Sequence, residues 1–172
     1  MVLASPVFAS FRQASWKSRL ADVGLLALVS GPLAAPFLAA APLPILPQIA
    51  DIIYAMGQQV CPQPELGLAL WPPHLIAVCM RCYGTVLGLV LMRWAYARTQ
   101  GQGRFWLYQY GLFGFAIAFV ICMAYPMELA LQNFDSWAVD NWVMTAFGWI
   151  AGIGLGAYIL PMFHEPEIVP KH

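Results

Sequence analysis

The sequence predicts an all-α integral membrane protein: four transmembrane helices, both termini cytoplasmic, and a long outer loop carrying a short interfacial helix. Three observations carry that reading. Of 172 residues, 61% are hydrophobic and 9% charged, against roughly 25% charged and about 45–50% apolar in soluble domains. Four stretches reach the length of about 20 apolar residues that a spanning helix needs. Lys and Arg gather on every second connection along the chain.

The spans fall at about 21–43, 73–95, 106–129 and 138–163, within one domain covering 1–172 and lacking internal repeats. Helices are required because backbone polar groups in hydrocarbon must be satisfied within the segment. The first apolar run contains Pro32, Pro36 and Pro42 and exceeds a signal-peptide core in length. It is therefore read as a span, not as a leader cleaved at its Ala-rich stretch near 39–41.

Arg12, Lys17 and Arg19 precede the first span, and Arg93, Arg98 and Arg104 flank the turn between the second and third. The connection at 44–72 holds Asp51 and Glu65, and the one at 130–139 holds Asp135; neither holds Lys or Arg. Basic residues favour the cytoplasmic face, which sets both termini inside. A formal net charge of zero with scattered basic residues excludes a nucleic-acid partner, which needs a concentrated basic face.

Trp71, Trp94, Trp106, Tyr108, Tyr110, Trp137 and Trp142 lie near span ends, where amphipathic rings favour the headgroup layer. Most are read as interface anchors, with quinone or pigment contact the alternative for a few. In the first outer loop Pro44 and Pro47 interrupt regular helix, and the 49–56 stretch predicts a short helix at the outer interface.

Gly148, Gly152 and Gly156 recur every fourth residue, with Gly154 among them, and Gly84 and Gly88 repeat the spacing in the second span. Small residues so spaced let helices approach closely in lipid, either within this bundle or against another membrane subunit.

Cys61 lies in the outer loop, Cys79 and Cys82 open the second span, and Cys122 lies in the third. At a rise of about 1.5 Å per residue all four fall in the outer half of the membrane. Cys122 alone reads as a buried small hydrophobe. For the other three, three chemistries fit: a disulfide clamp, a zinc or other thiolate-bound metal held by Cys61, His74, Cys79 and Cys82, or an active Cys-x-x-Cys thiol pair. No His follows Cys82, which argues against a c-type haem. Arg81 sits among them, and a charge in a span is costly. Snorkelling to the interface relieves it, as does pairing with Glu128 or Asp140.

At these residues the chain resembles a family of small bacterial and cyanobacterial membrane proteins, the domain of unknown function 2085 type. The signature is matched by Cys61-Pro62-Gln63 and by Cys79-Met80-Arg81-Cys82-Tyr83-Gly84, with Gly88 four residues on. Pro62 stands where the family pattern has His. The resemblance implies a bacterial inner or thylakoid membrane and brings no activity with it. A looser architectural likeness is to quinone-linked thiol oxidases, which need a second cysteine pair that this chain's outer loops lack.

Two functions follow as expectations. One is a non-catalytic accessory or assembly-type subunit of a larger, photosynthetic or respiratory, membrane complex, in contact with lipid and with bound lipid, quinone or pigment as candidate cofactors. The other is a quinone-linked thiol–disulfide oxidoreductase with Cys79 and Cys82 catalytic. A transporter is the poorest fit, since the spans hold no carboxylate pair.

Overall fold

The computed structural model describes residues 16–99, 103–132, 134 and 140–164. Three helical segments are long and apolar enough to cross a membrane: Trp16–Ala39, Leu107–Leu131 and Asn141–Phe163. In chain order the helices are α1 (Trp16–Ala39), α2 (Ile45–Val60), α3 (Met80–Thr99), α4 (Gly111–Cys122), α5 (Ala124–Leu131) and α6 (Asn141–Phe163). A two-stranded antiparallel hairpin, β1 (Ala69–Trp71) and β2 (His74–Leu75), separates α2 from α3. Arg81, Arg93 and Arg98 make α3 less apolar than the other long helices.

Two prolines lie inside α1, Pro32 and Pro36. Pro36 has no N–H, so the Pro32 carbonyl loses its helical donor. The backbone N–H of Ala77 takes that place at 3.4 Å. A defect in α1 thereby becomes the anchor for the segment entering α3, as lipid demands of any freed backbone group.

At 49–56, where a short helix is expected, lies the longer α2, packed against α1. One face buries Ala50 and Gly57, while Ile45, Ile49, Ile52, Met56 and Val60 stay exposed along the other. A Cβ on Gly57 would strike the Ala77 carbonyl. The Tyr54 hydroxyl donates to the Leu75 carbonyl at 2.7 Å, fixing α2 to β2.

The stretch expected as the second span, 73–95, differs from expectation at its start. Residues 73–79 read as apolar helix but form β2 and an extended lead-in, with α3 beginning at Met80. The Pro72–Pro73 pair offers no N–H for a helical turn and sits between the strands instead. The third segment is broken at Met123, between α4 and α5. Pro126 explains the break: it cannot donate to the Cys122 carbonyl, and its ring crowds that oxygen.

The most extensive helix contact joins α3 to α6, and glycine lines it from both sides. A Cβ on Gly84 would strike the Thr145 carbonyl, and one on Gly88 the Trp149 carbonyl. In return, Gly148 lies against the Arg81 carbonyl and Gly152 against the Thr85 carbonyl. Gly156 abuts the Met92 side chain, and Gly154 faces Ile121 of α4.

Trp106, read from sequence as an interface anchor, is only 2% exposed. It packs against Tyr96 in a buried cluster with Met92, Ala157 and Leu160. Trp71, Trp94 and Trp142 are exposed; Trp137 and Asp135 lie outside the described residues.

Gly152→Ile should destabilise the protein by about 1–3 kcal/mol through overpacking against backbone. Gly24→Ala in α1, where an added Cβ meets nothing within 4 Å, should cost nothing. Reversible denaturation in mixed detergent micelles measures both.

Candidate functional site: a buried thiol cluster beside an ion pair

Three segments build the site. The end of α2 delivers Cys61, the start of α3 delivers Cys79, Arg81 and Cys82, and α5 delivers Tyr125 and Glu128. The sulfurs of Cys61, Cys79 and Cys82 lie within 4.8 Å of one another. Cys61 and Cys79 are buried and Cys82 is partly so. Val78, Tyr83 and the fully buried Met144 of α6 complete the cluster, with Leu33 and Leu66 packed against it.

Hydrogen-bond donors surround the sulfurs. The Cys79 backbone N–H donates to Cys61 Sγ at 3.2 Å, because Cys79 sits just ahead of α3 and its N–H has no helical acceptor. The Tyr125 hydroxyl lies 3.0 Å from Cys82 Sγ. Hydrogen bonds from the Cys79 and Cys82 thiols favour a thiolate at Cys61 and hold it below the ordinary cysteine range. The cluster is thus poised to lose one proton early, from Cys61.

Arg81 and Glu128 are both wholly buried and ion-paired through Nε and Oε2. Gln63 Oε1 accepts from Arg81 Nη1 at 3.3 Å, and Gln132 Nε2 donates to Glu128 Oε1 at 2.7 Å. The guanidinium lies 5.5 Å from the Tyr125 ring centroid, while Nη2 has no hydrogen-bond partner among the described residues. The Arg81 side chain thereby stays inside the bundle instead of snorkelling. Asp140, the other candidate partner, accepts from the Trp142 N–H at 2.9 Å and caps α6.

His74 does not join the sulfurs. It lies on β2 and lines a groove of about 440 Å³ with Tyr54, Gln58 and Glu65. Cys122 is also apart, its thiol 3.5 Å from the Ala151 carbonyl of α6. All four cysteines are unbridged thiols.

A second polar cluster, which sequence reasoning passed over, lies about 18 Å farther along α3 at 1.5 Å per residue. Arg93 donates to Asp22 of α1 through Nε at 2.5 Å and Nη2 at 2.7 Å. His164 Nε2 lies 3.2 Å from Asp22 Oδ1, and the Tyr96 hydroxyl donates to the His164 carbonyl. An acid within the apolar α1 run was the available signal.

A family model described as "Predicted membrane protein (DUF2085)" matches residues 72–158, about half of the chain. The chain belongs to that family. The match takes in Cys79, Arg81, Cys82, Gly84, Gly88 and Glu128, whereas Cys61 precedes it. No curated protein and no solved structure matches the chain.

Glu128→Ala should destabilise the protein by about 3–5 kcal/mol, the cost of a buried charge left alone. Combining it with Arg81→Met should recover most of that loss, as read by the same denaturation. The reduced protein should also keep the ultraviolet absorbance of one thiolate at pH 6, where a free cysteine of pKa about 8.5 is protonated. Cys61→Ser should abolish it.

Proposed function

We propose that this chain is a non-catalytic accessory or assembly-type subunit of a larger membrane complex, with its thiol cluster serving as a metal site. The observation that carries the site is the convergence of three cysteines from two separated segments to within 4.8 Å. A disulfide clamp uses two thiols and strands the third; a thiolate-bound metal uses all three. The role is structural: the metal would tie the end of α2 to the start of α3, where Cys61 and Cys79 are both buried.

The proposed topology is a single four-helix membrane domain, with α3 as the fourth span and both termini cytoplasmic. Lys17 and Arg19 at the start of α1, and Arg93, Arg98 and Arg104 around the α3–α4 turn, support it. This places the thiols on the outer side of a bacterial inner or thylakoid membrane. The subunit role rests on α4, whose Leu112, Phe113, Phe119 and Val120 are all more than half exposed and offer an apolar face to lipid or to a neighbouring span.

The oxidoreductase reading draws on the Cys79–Cys82 spacing. An electron relay needs a second thiol pair, and Cys122 faces α6 instead of the cluster, so the geometry favours the metal.

Mild-detergent extraction and native electrophoresis from the source membrane should place the chain in a complex well above its 19.0 kDa. Migration as a lone chain in every mild detergent would refute the subunit role. Quinone-dependent cycling of a Cys79–Cys82 disulfide would move the function to the oxidoreductase.

A further inference from the structure

We infer that the metal is monovalent copper, held by Cys61, Cys79 and Cys82 with the Met144 thioether as an additional soft donor. The inference rests on the metal-site reading above and deepens it.

The donor set decides the choice. Structural zinc sites are almost always closed by four protein ligands. Among the described residues no fourth His, Cys, Asp or Glu joins the three thiols. His74 lines the separate groove, Cys122 faces Ala151, and Glu128 is engaged by Arg81 and Gln132. An open zinc site would fill its fourth position with water. Around the two buried thiols, Cys61 and Cys79, the walls are apolar: Val78 within the cluster, with Leu33 and Leu66 against it.

What the cluster does supply is more sulfur. Met144 is fully buried in the same cluster as Cys61 and Cys79. Soft thiolate and thioether ligands suit Cu(I), zinc and iron–sulfur clusters, and the thioether, which zinc sites do not use, turns the set toward Cu(I). A monovalent ion also asks less of its surroundings, since it accepts low coordination and needs no water. The Cys79 N–H on Cys61 Sγ and the Tyr125 hydroxyl beside Cys82 Sγ provide the outer hydrogen bonds that orient metal-bound sulfur.

The full chain, metal-free and reduced in detergent micelles under anaerobic conditions, should be titrated with Cu(I) or Zn(II) against chelators of known affinity. The expected result is one Cu(I) per chain with a sulfur-only shell by X-ray absorption. Met144→Leu, a swap of similar volume, should weaken Cu(I) by about tenfold and leave Zn(II) affinity unchanged. Cys79→Ser should abolish Cu(I) binding, with circular dichroism reporting whether the helices persist. Oxygen or nitrogen in the copper shell, or a Met144→Leu variant binding Cu(I) as the parent does, overturns the copper assignment. One Zn(II) per chain without stoichiometric Cu(I) overturns copper and leaves the metal site standing. Binding of neither metal removes both.

Discussion

In hydrocarbon, one helix gains nothing from hiding its apolar side chains against another, so close backbone approach must supply the adhesion. The contact between α3 and α6 is built on that constraint. Gly84 and Gly88 accept carbonyls of α6, and Gly148 and Gly152 accept carbonyls of α3. The interlock fixes the height of one helix against the other. Because Gly148 lies on the Arg81 carbonyl, the same interlock sets where Arg81 and the flanking cysteines stand. It also brings Met144, one turn from Gly148, to the sulfur cluster.

The ends of α3 each carry an arginine with a partner from another helix. Arg81 meets Glu128 of α5 with no exposure on either side, while the Arg93–Asp22 pair is partly exposed. The first cannot be relaxed by water, and its loss leaves a bare charge in a dry interior. The second is softer in that respect. The two pairs hold opposite ends of one helix to different neighbours, and the glycine contact holds its middle.

Much of the architecture was legible because hydropathy and lipid impose the same requirement on every residue of a span. The apolar runs behind α1, α4–α5 and α6 declared themselves in this way. Residues 73–79 did not, because an apolar count is blind to hydrogen bonding. Only the paired Pro72 and Pro73 hinted at the hairpin. Helical rise placed Cys79, Cys82 and Cys122 at one depth, but depth says nothing of azimuth, and Cys122 faces α6 past the break at Met123. His74 was near the thiols in sequence and is held away by the hairpin. Arg93 read as a topological charge, since its partner Asp22 lies 71 residues off and leaves no local pattern.

The Arg81–Glu128 pair has a further consequence for how the protein comes into being. The two residues are 47 positions apart, and bacterial and eukaryotic chains lengthen at about 5–20 residues per second. Arg81 is therefore synthesised several seconds before its carboxylate exists. During that interval the Arg81 guanidinium lacks the carboxylate that pairs with it in the folded chain, and an unpaired charge in hydrocarbon is costly. Neither the buried ion pair nor the glycine contact can form before α5 and α6 have been made. The final packing of the helix that bears the cysteines therefore depends on a carboxylate made 47 residues after its arginine.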